Sequence, residues 1–119
     1  MADILNNLPN ITSGKTGRFS SWDKTGRNQD AWKIKAGQTK VLADIKGKGK
    51  ITHIWMTQRN HYRECLLKIT WDNAKKPSVL VPLGDFFCLG HSMVNSFQNL
   101  IFSASTNNNN RHIGPSARQ

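Results

Sequence analysis

The sequence predicts an all-β fold, a jelly-roll-like antiparallel β-sandwich that is incomplete and has irregular termini. Three observations predict this class: the apolar runs are short, turn-forming residues separate them, and helical periodicity is almost absent. A chain of 119 residues has room for one domain. We therefore expect a flexible lead-in arm at 1–17, the β-domain at 18–102, and a polar, disordered tail at 103–119.

The clearest strand is predicted at 62–71, where apolar and polar residues alternate. Turn-forming residues follow at 72–77 and should join this segment to a second strand at 78–81 in a hairpin. The alternation places Glu64 and Lys68 on the solvent side of the first strand. The residues predicted to point inward are Cys65, Leu67, Ile69 and Trp71.

Three further strands complete the predicted sandwich. Residues 39–45 place Val41, Ala43 and Ile45 on one face, and residues 51–57 carry apolar side chains on both faces, so both faces should be covered. The segment 93–102 supplies the last strand. Between the strands at 39–45 and 51–57, the segment KGKGK at 46–50 is predicted to be a glycine-rich turn with its lysines in water. It is not predicted to bind phosphate, because it lacks the spacing of a phosphate-binding loop and no helix follows it.

The central stretch of the chain is 79–91, VLVPLGDFFCLGH. Its apolar beginning fits a buried strand, which Pro82 and Gly84 should end. Asp85 then lies between this run and two phenylalanines, where a carboxylate costs free energy unless it is hydrogen-bonded or used by a ligand. Asp85 therefore either caps the amides of its own loop or faces a ligand, and the sequence leaves both interpretations open.

Residues 18–32 mix serine, aspartate and amide side chains with Trp22 and Trp32 and have no periodicity. Such a long irregular segment is uncommon unless it is functional or disordered, and tryptophans argue against disorder. Trp22 either closes the end of the core or takes part in function. In the same way, His53 is either an interior histidine or, beside Trp55, part of a sugar-binding floor.

The net charge is +10, from seventeen Lys and Arg against seven Asp and Glu. A basic surface binds polyanions by releasing their counterions, so a β-domain that binds nucleic acid is an alternative function. The basic residues form no run of five or six like charges, which argues against it. The residues that would contact phosphates are Lys33, Lys35, Lys40, Lys46, Lys48, Lys50 and Arg59.

Cys65 and Cys88 lie far apart and form no CxxC motif, so neither a redox pair nor a zinc site is indicated. We expect two buried free thiols, with a disulfide as the alternative, and neither a metal nor a cofactor. No apolar run has the length of a membrane span, and residues 1–15 lack the pattern of a signal peptide. The expected location is therefore the cytoplasm, without a membrane contact.

Four ordered motifs resemble the amino-terminal half of glycoside hydrolase family 172. They are SSWDKTGRNQD at 20–30, LADIKGKGKITHIWMT at 42–57, LKITWD at 67–72 and PSVLVPLGDFFCLGH at 77–91. The resemblance implies a jelly-roll sandwich, activity on α-furanosides such as difructose anhydrides and D-arabinofuranosides, and no need for a metal. It also implies trimers or larger assemblies with active sites near subunit contacts.

This sequence lacks the catalytic groups of that family. A retaining glycosidase needs two carboxyl groups about 5 Å apart, one as nucleophile and one as acid and base. The two catalytic glutamates of the family lie downstream of the matching region, and this chain has a single glutamate, Glu64, on the predicted solvent side. We therefore expect a truncated amino-terminal domain that resembles part of an enzyme, contains no catalytic residue and is inactive alone.

The resemblance and the side-chain chemistry together imply a set of sugar-contacting residues. Aromatic rings stack on the C–H groups of a furanose, and carboxylates and amides form hydrogen bonds with its hydroxyls. The expected substrate-binding residues are Trp22, Asp23, Asn28, Asp30, Asp85 and His91. The expected partners are a furanose-containing carbohydrate and either further copies of the chain or the missing second half, which would cover exposed strand edges.

Overall fold

The computed structural model describes residues 14–91, 93, 95–105 and 116–118, the last three by their backbone. The chain divides into two compact units, Met1–Gly47 and Lys48–Gln119, which are described separately below. Among the described residues, no helix reaches the length and apolarity needed to cross a bilayer.

The described part of the first unit, residues 14–47, contains turns and irregular segments but no strand or helix. The strand predicted at 39–45 is therefore wrong, and Val41 and Ile45 are exposed. A strand needs a neighbour that completes its backbone hydrogen bonds, and no ladder joins 39–45 to another described segment. Alternation of apolar residues alone does not supply that neighbour.

The second unit contains a four-stranded antiparallel sheet. Its strands are β1 (His53–Trp55), β4 (Phe97–Gln98), β5 (Phe102–Ala104) and β6 (Ser116–Arg118), in the order β1-β6-β5-β4. Residues 103–104 and 116–118 thus lie in strands, although the sequence predicted no ordered structure in that region. The prediction for 106–115 lies outside the described residues.

The last predicted strand, 93–102, is interrupted. The Oδ1 atom of Asn99 accepts hydrogen bonds from the backbone N–H groups of Ile101 and Phe102, at 2.9 and 2.7 Å. Asparagine favours turns because its side chain replaces a backbone acceptor in this way. The segment therefore forms two short strands around a turn, and the predicted contribution of Val94 lies outside the described residues.

The predicted hairpin is present and consists of β2 (Leu66–Ile69) and β3 (Val79–Pro82). Leu67 is buried and Ile69 half-buried, as the alternation predicted, but Trp71 is exposed beyond the end of β2. Asp72 and Asn73 both have positive φ, 52° and 55°, and the N–H of Ala74 donates to the Trp71 carbonyl at 2.9 Å. These features define a type I′ turn, which carries Trp71 out of the strand.

The strand prediction for the central stretch is confirmed, since β3 ends at Pro82. A single helical turn, α1 (Leu83–Phe86), follows it directly. Gly84 in this turn is buried, and its N–H donates to the carbonyl of Tyr62 at 2.8 Å. A Cβ atom on Gly84 would lie 2.8 Å from the Cβ atom of Tyr62, so only glycine permits this approach.

The core of the second unit lies where α1 and the segments beside it meet the four-stranded sheet. Phe102 of β5 makes edge-to-face contacts with Phe86 and Phe87, with ring centroids 6.2 and 6.5 Å apart. Such pairs stabilise a core beyond the area that they bury. The buried apolar residues are Tyr62, Leu67, Phe87, Leu89 and Ala104. The described chain is therefore mostly β, with small antiparallel sheets, very little helix and a small core.

The prediction that both faces of 51–57 are covered is wrong. His53 is exposed, and Trp55 is 62% exposed, so the face that these two side chains share is not covered. His53 is therefore not an interior histidine. Ile54, on the opposite face, is half-buried.

Candidate functional site

A polar loop at 21–30 in the first unit is organised by the Asp23 carboxylate. Its Oδ1 atom accepts hydrogen bonds from the Thr25 backbone N–H at 2.8 Å and from the Thr25 hydroxyl at 2.6 Å. Its Oδ2 atom accepts one from the Gln29 N–H at 3.3 Å. Gly26 and Asn28 have φ of 74° and 58°, which the tight turn requires and which glycine and asparagine tolerate.

Asp30 closes this loop from its other end. Its Oδ1 atom accepts a hydrogen bond from the backbone N–H of Asp23 at 2.7 Å, and its carbonyl accepts one from the Ser21 hydroxyl at 2.6 Å. Four of the six predicted substrate-binding residues lie in this loop. These four are Trp22, Asp23, Asn28 and Asp30.

Hydrogen bonds fix the charge of Asp23. The Thr25 hydroxyl, and then the Thr25 and Gln29 backbone N–H groups, hold the pKa of the Asp23 carboxyl below its usual value of 3.8. Like an aspartate of ordinary pKa, Asp23 is ionised at neutral pH, and its carboxylate accepts hydrogen bonds there.

Trp22, at the start of this loop, is exposed to solvent. Its side chain is 59% exposed, so it does not close the end of a core. Together with Arg18 and Ser20 it lines an open groove of about 400 Å³. An exposed indole beside hydrogen-bonding groups is the combination that saccharide sites use.

Asp85 and His91 belong to the second unit. Arg63 holds the Asp85 carboxylate, with Nη1 at 3.2 Å from Oδ1 and 3.1 Å from Oδ2, and the same nitrogen donates to the Gly90 carbonyl at 2.7 Å. Asp85 is thus paired with Arg63 and not with the amides of its own loop, so the interpretation of Asp85 as a cap of those amides is wrong. His91, next to Gly90, is exposed.

Sequence reasoning missed Arg63. It precedes Asp85 by 22 residues, and nothing in their spacing relates them. The sequence also did not indicate that Cys88 would adopt a positive φ of 66°. Both cysteines are free, as expected, but Cys65 is half-buried and Cys88 exposed, so the expectation that both are buried was wrong.

Other carboxylates of the described residues lie on the surface. Glu64 is exposed in the turn before β2, with Oε2 4.0 Å from Nδ1 of His61. Asp44 is exposed and pairs with Lys46 at 3.0 Å. Within the described ranges, no three His, Cys, Asp or Glu side chains form a group that could hold a metal ion.

The basic residues singled out in the sequence are all exposed. Two of them already have local partners: Lys46 pairs with Asp44, and Nζ of Lys40 lies 5.1 Å from the centre of the Trp32 ring. These contacts give Lys40 and Lys46 partners within the chain and leave its net charge unchanged.

Comparison with known proteins identifies one family. The family model described as GH172 domain-like matches residues 23–112. The match begins at Asp23 and includes the hairpin and α1. No curated protein matches the chain.

Proposed function

Because the chain belongs to the GH172 domain-like family, we propose that it is a furanoside-binding β-domain that does not cleave glycosidic bonds by itself. The observation that carries this proposal is the loop at 21–30, in which the exposed indole of Trp22 comes directly before Asp23, the hydrogen-bonded carboxylate at which the family match begins. We further propose that its strands correspond to part of a jelly-roll sandwich.

The loop has the chemistry that sugar recognition requires. Trp22 offers an apolar surface to the C–H groups of a furanose ring, and Asn28 offers an amide to its hydroxyls. The positive φ of Asn28 and the hydrogen bonds of Asp23 fix the backbone of the turn that carries these groups before a ligand arrives. Such preorganisation reduces the entropy lost on binding.

The same contacts argue against hydrolysis. Cleavage with retention needs a protonated acid and a free carboxylate about 5 Å apart. Asp23 is held ionised by its N–H and hydroxyl donors, Asp30 accepts from the Asp23 N–H, and Asp85 pairs with Arg63. Neither Asp23 nor Asp30 lines the groove beside Trp22. We propose that none of these carboxylates acts as the acid of a hydrolase.

Titration calorimetry with methyl α-D-arabinofuranoside tests the proposed binding. Trp22→Ala should weaken binding at least about fivefold, because a stacked ring contributes roughly 1 kcal/mol beyond its buried area. Trp71→Ala is the matched control, since Trp71 is also an exposed tryptophan and lies in the turn of the second unit. Equal affinity in wild type and Trp22→Ala would refute the assignment of the sugar to this loop.

The hairpin suggests a protein partner for the second unit. Leu66 and Leu80 are exposed on the outer face of β2 and β3, and both outer edges of this two-stranded sheet lack a neighbour among the described strands. We propose that copies of the chain, or a further domain, cover this face. Light scattering after size exclusion should show an assembly larger than a monomer, and Leu66→Lys should reduce it.

Binding of nucleic acid is the second candidate, favoured only by the exposure of the basic residues. If phosphate contacts dominate, affinity for an oligonucleotide should fall steeply between 50 and 200 mM salt, roughly in proportion to the number of phosphates contacted. A sugar site should change little over the same range. Steep salt dependence together with loss of binding in Lys48→Gln would favour this candidate.

A further inference from the structure

An open groove lies beside Trp22, and the segment that lines it is hydrogen-bonded to the loop at 21–30. Arg18, Ser20 and Trp22 line the groove, and it is an open surface groove rather than an enclosed pocket. These are alternate residues, as expected when an extended chain directs every second side chain to the same side. Ser21, between them, donates to the Asp30 carbonyl at 2.6 Å and ties the other side to the loop.

Arg18 brings an uncompensated positive charge to this groove. Its Nη2 atom donates to the Ser20 hydroxyl at a long 3.4 Å, and no described carboxylate lies within 4.0 Å of its guanidinium. The nearest carboxylates along the chain, Asp23 and Asp30, accept hydrogen bonds from the loop instead. Because arginine stays charged at every physiological pH, the groove presents a permanent cation beside an indole.

We propose that this groove binds furanosides that carry an anionic substituent, with the sugar ring on Trp22 and the anion on Arg18. The inference rests on the proposed furanoside binding and adds a preference for charge. A neutral furanoside leaves the guanidinium of Arg18 without a partner, whereas a free anion makes no use of the indole. Phosphate and carboxylate each present two oxygens that accept two parallel hydrogen bonds from a guanidinium.

The expected preference is modest because the groove is open. Exposed ion pairs contribute up to about 1 kcal/mol, which corresponds to about fivefold in affinity. The carboxylates of the neighbouring loop repel an anion, the exposed lysines and arginines of the chain attract it, and salt screens both effects over distances beyond about 10 Å. The preference should therefore depend on Arg18 itself rather than on the overall charge of the chain.

Amide chemical-shift titrations of the full chain test this inference. Four probes are compared: methyl α-D-arabinofuranoside as the neutral sugar, D-fructose 6-phosphate and methyl galactofuranosiduronate as the two anionic furanose arms, and inorganic phosphate alone. The variant is Arg18→Gln. The matched control is Arg27→Gln, which removes one exposed positive charge from the same loop region but does not line the groove.

The inference predicts that at least one anionic furanose binds about fivefold more tightly than the neutral one, with shifts at residues 18–22. Arg18→Gln should remove this advantage, so that the anionic sugars bind no more tightly than the neutral one to this variant, while Arg27→Gln should retain it. Whichever of the two anionic sugars binds more tightly shows whether the groove prefers a phosphate or a carboxylate. Phosphate alone should bind more weakly than either.

Four outcomes would overturn the inference. The first is equal affinity for neutral and anionic sugars with Trp22-dependent shifts, which leaves the proposed function standing. The second is an equal loss in Arg27→Gln, which indicates general charge attraction. The third is binding of inorganic phosphate as tight as that of the phosphorylated sugar, which indicates an ion site without sugar recognition. The fourth is an absence of shifts with every sugar, which contradicts the proposed function as well.

Discussion

Gly84 is the residue at which the size of a side chain limits the second unit most directly. Its backbone makes two short hydrogen bonds, from its own N–H to the Tyr62 carbonyl at 2.8 Å and from the Leu89 N–H to its carbonyl at 2.8 Å. The position that a Cβ atom would occupy lies 2.8 Å from the Tyr62 Cβ and 3.1 Å from the Tyr62 oxygen. A larger residue must therefore separate α1 from the turn that contains Tyr62.

Gly84→Ala should lower the free energy of unfolding by about 1–3 kcal/mol, the usual cost of overpacking a core. Alanine has the higher helix propensity, by up to about 1 kcal/mol, so the measured loss is the difference between these two effects. Urea denaturation followed by tryptophan fluorescence measures it. Gly90→Ala is the control, because nothing lies within 4 Å of the added Cβ atom, and it should change stability little.

Asp23 determines whether the loop at 21–30 keeps its shape on acidification. Since folding lowers the pKa of this carboxyl, its contribution is fully present above the unfolded value near 3.8 and is lost as the pH falls through the lower folded value. Carbon-13 NMR of the side-chain carboxyl should give a midpoint below 3.8. Thr25→Val removes the hydroxyl donor and should move that midpoint upward; an unchanged midpoint would show that another group holds the charge.

At the scale of secondary-structure elements, one arginine side chain connects α1 and the loop after it to the turn before β2. Arg63 lies in the turn before β2, yet it contacts Asp85 in α1 and the carbonyl of Gly90 at the end of the loop. It therefore links the start of the hairpin with both ends of the segment 85–90.

Arg63→Gln should loosen that segment without unfolding the unit. Both partners are partly exposed, so the loss is about 1 kcal/mol. Amide hydrogen exchange at Leu89, whose N–H donates to Gly84, should accelerate about fivefold because local opening becomes easier. Arg59→Gln, a change of the same charge at an exposed position, should leave the Leu89 exchange rate as it is.

The elements that the sequence predicted well are those whose signal is local. The hairpin of β2 and β3 follows from alternation around Leu67 and from turn residues that lie between its two strands. The prediction of a strand at 39–45 failed because alternation of apolar residues does not indicate whether a neighbouring strand is present. The pairing of Arg63 with Asp85 joins positions 22 residues apart, where no periodic pattern connects them.

The candidate site shows the same division. The loop at 21–30 could be recognised because its aspartates, its asparagine and Trp22 lie within one short motif. The role of Asp23 as the acceptor at the centre of its own turn required the observed hydrogen bonds. The uncompensated charge of Arg18 likewise became visible only from the absence of a nearby carboxylate among the described residues.

At the scale of the whole molecule, the chain has a small core and much exposed apolar surface. Phe87 is 1% exposed, yet Trp55, Leu66 and Leu80 are each more than half exposed. Exposed apolar surface of this kind favours association with another surface. This exposed surface is the reason for the assembly proposed above, and membership of the GH172 domain-like family is the reason for the carbohydrate ligand proposed above.

The proposal that the chain binds a furanoside without cleaving it has one direct test. The isolated chain is mixed with 4-nitrophenyl α-D-arabinofuranoside, and NMR follows the amides of residues 18–30 together with the anomeric signal of the sugar over time. The account predicts shifts in those amides, lost in Trp22→Ala, and an anomeric signal that stays constant. Steady appearance of free arabinose that is abolished by Asp23→Asn, Asp30→Asn or Asp85→Asn would contradict it.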